Sequence, residues 1–194
     1  MLIQEPITFL TDLPILLFSA YCFISLARTP RTLPQSFFTA AFFCVALMSL
    51  FGALYHANNC YFYLIQKYGT MITGGLLSTS LALAGIFDNF TPPTTLVFAC
   101  LPLISLLIYF STLNHASFLP FILLQFFNVA ILFLAYFKDL PRKKSILIYL
   151  AGIAFIAAGI IQTQSFHFFI FNHNDVFHLI SLLSIALLYN AIKT

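Results

Sequence analysis

The sequence carries very little charge. Only 7% of its 194 residues are Asp, Glu, Lys or Arg, whereas 61% are hydrophobic. A soluble protein of this length cannot bury that much apolar surface, because the surface of a folded chain falls too slowly relative to its length. The composition therefore excludes a soluble globular domain and predicts a protein with several membrane-spanning segments.

Several familiar motifs are also absent. The four cysteines contain no Cys-x-x-Cys pair, so we assign them no metal or redox chemistry. The net charge of +3 does not come from a basic cluster with interleaved aromatic residues, so no nucleic-acid partner is expected. Glu5 and Asp12 lie where a cleavable signal peptide has basic residues, which predicts that the first apolar run is a retained helix.

Long apolar runs dominate what is present. A helix needs ~20 mostly apolar residues to cross a membrane, and short polar connections divide the chain into seven such runs. The predicted spans are residues 8–27, 37–55, 70–87, 95–109, 118–137, 146–166 and 175–191. Backbone groups in lipid must bond within their own segment, and the period-2 alternation of a β-barrel is absent. The predicted fold is therefore all-α, a single seven-helix transmembrane bundle over residues 1–194.

The basic residues predict an orientation. Those expected at one face of the bundle are Arg28, Arg31, Lys138, Arg142, Lys143, Lys144 and Lys193, and only Lys67 lies at the other. The positive-inside rule makes the basic face cytoplasmic, with the N-terminus outside and the C-terminus inside. The outer loops hold no glycosylation acceptor, which favours a bacterial inner membrane over an organelle membrane.

The opposite face collects the other ionisable side chains. It is predicted to hold His56, His115, His167, His173, His178, Glu5, Asp12 and Asp175. Asp12 and His178 each lie about one turn inside a span, since a helix rises ~1.5 Å per residue. Ionisable residues inside a membrane are costly and indicate a functional site.

The densest polar cluster, FNHNDVFHLI, opens the last span. Asp175 and Asn174 are three and four residues before His178, so each can share a helix face with it. His173 is five residues before His178, about 140° round an ideal helix. It reaches the same site only if the helix begins after it, which an N-cap at Asn172 or Asn174 would allow. The structural alternative is that these residues only cap the helix.

These residue types suit zinc. Imidazoles with one or two carboxylates form a zinc-binding set, and three protein ligands with an open position are typical of a catalytic site. Bound zinc lowers the pKa of its water to about 7, which generates a nucleophile for ester or amide carbonyls. Ser49 lies seven residues before His56, on the same face and about 10 Å deeper. Its hydroxyl could position a carbonyl or an oxyanion, although a bond to its own helix is commoner.

Two motifs, LMSLFGALYH at residues 47–56 and NDVFH at residues 174–178, resemble a known superfamily. This superfamily of membrane metal hydrolases includes the alkaline ceramidases and the progestin and adipoQ receptors. The resemblance implies a seven-helix bundle in which zinc is held by one His of span two and two of span seven, beside a Ser and an Asp, for lipid amide hydrolysis. His56 and His178 match two of those ligands.

The sequence departs from this family at three positions. The first span-seven His falls on Asn174, and the Ser four residues before the span-two His falls on Gly52. The Asp expected early in span three has no counterpart in residues 67–73. The third ligand and the base must therefore come from other residues.

The resulting hypothesis assigns a role to each candidate. The proposed zinc ligands are His56, His178 and either His173 or Asp175. The proposed catalytic groups are Asp12 or Asp175 as base and Ser49 or Asn58 for the oxyanion. The surrounding polar groups are Asn58, Asn174 and Glu5, and a calcium ion near Glu5 and Asp12 is a further possibility.

The Phe-rich helices favour an acyl chain as ligand. We therefore expect membrane lipids as partners and an acyl-lipid amide or ester as substrate, cleaved by a ceramidase-like zinc enzyme. A non-catalytic receptor or binding protein would keep the bundle and the metal without turnover. A small transporter would be expected to have broken helices or repeated halves.

Overall fold

The computed structural model describes residues 6–29, 31–57, 63–113, 119–140, 142–164, 167–168 and 171–194. Its long helices are α1 (Pro6–Ala27), α2 (Leu33–Ala57), α3 (Tyr63–Asn89), α4 (Pro92–Ser111), α5 (Leu119–Tyr136), α6 (Lys143–Gln162) and α7 (His173–Lys193). The predicted all-α bundle of seven helices is confirmed. All seven are long and apolar enough to span a membrane.

The helix bounds differ from the predicted spans at the start of α3 and at the end of α6. α3 begins at Tyr63 rather than at residue 70, because Gln66 and Lys67 lower the hydropathy of its first two turns. Gln66 is nevertheless only 5% exposed, so it belongs to the packed interior. α6 ends at Gln162 rather than at residue 166.

Short non-α elements complete the fold. A 3-10 turn (Phe137–Asp139) follows α5. Between α6 and α7, strands β1 (His167–Phe168) and β2 (Phe171–Asn172) pair antiparallel. The sequence did not predict this hairpin, since strands of two residues are too short for a period-2 pattern.

Six helices form a closed ring. Each of α1, α2, α3, α5, α6 and α7 contacts the next, α7 returns to α1, and α4 packs outside the ring against α3 and α5. The contact between α5 and α6 is much less extensive than that between α6 and α7. The packed core includes Phe38, Phe42 and Ile148, which are at most 1% exposed.

Polar contacts cross the helix interfaces. Asn128 Nδ2 on α5 donates to Ser78 Oγ on α3 over 3.0 Å, and Gln125 Nε2 donates to the Gly74 carbonyl over 2.9 Å. In lipid such bonds average about 0.6 kcal/mol each. They fix the relative positions of α3 and α5.

The two ends of the bundle differ in charge. The end at which α1 stops and α2 starts, here called the basic end, carries Arg28, Arg31, Lys138, Arg142, Lys143, Lys144 and Lys193. There the Asp88 carboxylate accepts hydrogen bonds from Lys144 and Tyr136, which joins α3, α5 and α6. The opposite end, here called the histidine end, carries His56, His173 and His178.

Candidate functional site

A cavity of about 320 Å³ opens inside the ring at the histidine end. Its polar side chains include Asp12, Ser49, His56, Gln125, His178 and Ser181. Much of the remaining wall comes from Phe121 and Phe126 on α5 and Phe155 and Ile156 on α6. The volume is near the lower limit of ordinary ligand cavities, roughly 300–1,000 Å³. The cavity therefore combines a cluster of ionisable groups with an apolar wall.

The start of α7 is fixed by a capping box. The Asn172 side chain accepts hydrogen bonds from the Asn174 and Asp175 backbone amides, and Asp175 Oδ2 accepts one from the Asn172 amide over 2.7 Å. Three otherwise unpaired backbone donors are thereby satisfied, in a reciprocal arrangement of the two side chains. The predicted N-cap at Asn172 is confirmed, and α7 begins at His173.

Asp12 and His178 form a close pair of ionisable groups in the cavity. Asp12 Oδ1 on α1 lies 3.3 Å from His178 Nε2 on α7. Asp12 is 2% exposed and His178 is 7% exposed. Asp12 Oδ2 is buried and has no hydrogen-bond partner among the described residues. Their closeness agrees with the prediction that both lie one turn inside their spans at the same end.

Thr11 contacts the ring of His178. Thr11 Oγ1 lies 2.9 Å from the Thr8 carbonyl and 2.9 Å from His178 Nδ1, and its single proton can serve only one of them. When that proton goes to Thr8, Nδ1 is the donor in the contact with Thr11. In a neutral imidazole the other nitrogen, Nε2, has a lone pair, and here it points at the Asp12 carboxylate.

In that tautomer two acceptor atoms face each other. An ionised carboxylate and an unprotonated imidazole nitrogen repel at this separation, so a proton or a metal ion must lie between them. Histidines that bind metals characteristically donate their second ring nitrogen to a neighbouring acceptor, as His178 does to Thr11. The donor set fits a cation, and zinc accepts both nitrogen and carboxylate ligands.

His56 is the nearest further candidate ligand. It lies in the last turn of α2 and lines the cavity. Its ring centroid is 6.3 Å from that of His178, with an angle of 74° between the rings. When two imidazoles bind one zinc at Zn–N distances of about 2.0–2.1 Å, their ring centroids are slightly closer together than in this pair. Within the described part of the chain, no three His, Cys, Asp or Glu side chains are arranged to hold a metal ion.

The other predicted residues of α7 have different placements. Asn174 lines the cavity. Asp175 is fully buried, with Oδ2 engaged in the capping box and Oδ1 without a hydrogen-bond partner among the described residues. His173 occupies the first helical position, so the N-cap at Asn172 leaves it inside the helix and not before it, contrary to the expectation. The structure brings Asp12 to His178, whereas the sequence singled out His173 or Asp175 as the third ligand.

Ser49 and Gly52 lie on α2 beside this cluster. Ser49 is 4% exposed and lines the cavity, and it makes no hydrogen bond to any other residue that the structure describes. Gly52 faces the Asp12 carboxylate. Glu5, Asn58 and His115 lie outside the described residues, as does any calcium site at Glu5, and these stay predictions.

Comparison with known families gives one match. Residues 7–194 match a family described as a family of unknown function, DUF6962. The chain belongs to this family. No curated protein and no solved structure matches it. For this DUF6962 protein, function must therefore be argued from the geometry of the site.

Sequence reasoning missed several polar groups in this DUF6962 protein. Thr11 orients His178, and Thr8 Oγ1 accepts a hydrogen bond from Asn172 Nδ2 over 3.2 Å, which ties α1 to the cap of α7. Gln125 and Ser181 line the cavity and are at most 8% exposed. Their only signal in the sequence is that each is a polar residue within an apolar span.

Proposed function

We propose that this chain is an integral membrane hydrolase that binds zinc through Asp12, His56 and His178 and cleaves an amide or ester bond of an acyl lipid. The observation that carries the proposal is the buried Asp12–His178 pair, in which Asp12 Oδ1 and His178 Nε2 are 3.3 Å apart. The pair belongs to the polar part of a cavity with an extensive apolar wall.

The three proposed zinc ligands are side chains that lie together in the cavity. Asp12 takes the third position because its carboxylate is directed at His178, whereas one oxygen of Asp175 is engaged in the helix cap. His56 lines the same cavity, with its ring centroid 6.3 Å from that of His178, and would move closer to it on binding a shared zinc. The zinc would act as a Lewis acid and lower the pKa of a bound water.

The remaining groups support hydrolysis. Asp12 Oδ2, which has no hydrogen-bond partner in the described part of the chain, can accept a proton from an attacking water. The Ser49 hydroxyl lines the same cavity and can donate to the carbonyl oxygen of the substrate. Thr11 Oγ1 can accept a hydrogen bond from His178 Nδ1, and the tautomer in which it does so leaves Nε2 available to the metal.

The apolar wall indicates the class of substrate. Phe121, Phe126, Phe155 and Ile156 face the cavity from α5 and α6. Such a wall suits an acyl chain and offers few partners to a sugar or a nucleotide. The limited contact between α5 and α6 favours entry of the lipid between these two helices.

Membrane insertion and orientation belong to the same proposal. Seven apolar helices and a concentration of Lys and Arg at the basic end support a cytoplasmic basic end and an external histidine end. The N-terminus would then be external and the C-terminus cytoplasmic. A bacterial inner membrane is the preferred location.

The test is the metal content of detergent-purified protein, measured by elemental mass spectrometry. We expect about one zinc per chain in the wild type, as in other catalytic sites, and its loss in His178→Ala. His173→Ala is the matched control, because it removes an imidazole from the same helix without touching the Asp12 pair. Wild-type protein purified without chelators that holds no zinc would overturn the proposal.

A screen of acyl-lipid amides and esters then tests turnover. Product formed by the wild type and abolished in Asp12→Asn would support hydrolysis. Zinc binding without release of a product from any acyl lipid would instead support a receptor or binding protein on the same bundle.

A further inference from the structure

The basic end holds a second cavity, of about 190 Å³, between the end of α1, the start of α2 and the end of α7. Its lining residues are Ser25, Leu26, Thr29, Arg31, Gln35, Thr39, Ile192 and Lys193. It lies at the opposite end of the bundle from the Asp12–His178 pair, and nothing in the proposed hydrolysis uses it.

Two cations converge on this cavity without a carboxylate. Arg31 precedes α2 and Lys193 ends α7, and none of the described residues in the lining is acidic. Lys193 Nζ lies 4.7 Å from the centroid of the Tyr189 ring, a cation–π contact that leaves its charge uncompensated. Arg31 forms no ion pair with any residue that the structure describes. Elsewhere at this end, Lys144 pairs with Asp88 and Arg142 with Asp139.

The polar groups of the lining include hydrogen-bond donors. Ser25 Oγ accepts a bond from the Tyr189 hydroxyl over 2.8 Å, so its own proton is free to donate. Gln35 Oε1 accepts the Thr32 backbone amide over 2.9 Å, which leaves the amide nitrogen of Gln35 as a donor. Together with the guanidinium and the ammonium, these groups complement an acceptor-rich anion.

The backbone at the start of α2 also favours an anion in this cavity. Arg31 precedes α2, which is 25 residues long, and Gln35 lies in its first turn. The N-terminal end of a helix carries a partial positive charge that favours anions, although Pro34 in this turn has no amide proton to donate. The cavity is too small for a drug-sized ligand but has room for a tetrahedral oxyanion.

We propose that this second cavity binds a phosphate group. Arg31 presents two parallel N–H donors to its oxygens, and Lys193 contributes a point charge. The phosphate can come from the headgroup of an anionic membrane lipid or from a free phosphate ion. If the basic end is cytoplasmic, it meets the leaflet in which anionic headgroups are available.

The experiment compares three forms of the full chain, purified in detergent. The test variant is the double substitution Arg31→Gln with Lys193→Gln. The control is Lys138→Gln with Lys143→Gln, which removes the same charge from exposed positions at the same end. Binding of phosphatidylglycerol and phosphatidylcholine is measured by native mass spectrometry, and binding of inorganic phosphate is measured by calorimetry.

We expect the test variant to lose about tenfold or more in affinity for its phosphate ligand, as the loss of charge-assisted hydrogen bonds implies. The control should bind like the wild type. If the test variant loses binding of phosphatidylglycerol, the cavity binds a lipid headgroup. If it loses binding of inorganic phosphate, the cavity binds the free ion. Equal losses in the test and control variants, or no binding of either ligand, would overturn the proposal.

A milder substitution separates a loss of binding from a loss of folding. Arg31→Lys keeps the charge but loses the paired donors, so it should weaken binding while the melting temperature stays at the wild-type value. Wild-type affinity in Arg31→Lys together with wild-type affinity in Arg31→Gln would exclude Arg31 from the site.

Discussion

The Asp12 carboxylate lies directly against the backbone of Gly52. A Cβ atom at position 52 would be 3.2 Å from Asp12 Oδ2 and 3.3 Å from Oδ1. The carboxylate from α1 therefore occupies space next to α2 that a larger residue would fill.

Because of this contact, we expect Gly52→Ala to weaken zinc binding without lowering the stability of the fold. The new methyl group must displace the carboxylate by a few tenths of an ångström, so we expect zinc affinity to fall about tenfold. Alanine favours a helix over glycine by roughly 0.5–1 kcal/mol, so the melting temperature should not fall. Zinc titration and thermal unfolding in detergent measure the two effects.

Gly159→Ala is the control for this substitution. Gly159 also lines the cavity, and a Cβ there meets nothing within 4 Å. It should leave zinc affinity unchanged. Undiminished affinity in Gly52→Ala would mean that the position of Asp12 does not govern the metal site.

The two buried carboxylates of the site are expected to differ in importance. Asp12→Asn should lower zinc affinity at least about tenfold, because a neutral amide is a much poorer zinc ligand. Asp175→Asn should keep zinc, since its side-chain oxygen can still accept the Asn172 amide, at a cost of about 1 kcal/mol or less in stability. The zinc content of both variants, measured by elemental analysis, shows which carboxylate is the ligand. Loss of zinc in Asp175→Asn alone would identify Asp175 as the ligand and leave Asp12 a structural residue.

The helices could be predicted from the sequence because hydropathy and backbone hydrogen bonding fix them locally. Seven apolar runs correspond to seven helices, and Asn172 was one of the two residues predicted to cap the last of them. The early start of α3 could not be predicted in this way. Gln66 is polar yet buried, and hydropathy treats every polar residue as a candidate boundary.

The site was only partly predictable for a different reason. Asp12 and His178 were recognised because each is an ionisable residue inside an apolar span. Their pairing depends on how α1 rotates against α7, and helical periodicity does not determine that rotation. Thr11 and Gly52 acquire their roles only through this packing.

Orientation can be tested with single cysteines in a background whose native cysteines are replaced by alanine. Gln164→Cys lies at the histidine end and Lys143→Cys at the basic end, and both positions are exposed. In intact cells we expect a membrane-impermeant maleimide to label residue 164 and to reach residue 143 only after permeabilisation. The reverse pattern would invert the proposed topology and place the metal site on the cytoplasmic side.

Thr11→Val tests whether the orientation of His178 controls the metal. Valine keeps the shape of threonine but removes the hydroxyl that accepts from His178 Nδ1. The loss of such a supporting contact typically lowers metal affinity about 10–100-fold, whereas one hydrogen bond contributes only about 0.5–1.5 kcal/mol to stability.

The matched control for this last substitution is Thr70→Val. Thr70 lies on the cavity wall, and its hydroxyl donates to the Gln66 carbonyl within its own helix. Zinc titrations should therefore distinguish two variants of equal shape and similar thermal stability. If both bind zinc like the wild type, the imidazole is held by packing alone, and the Thr11 contact has no part in the site.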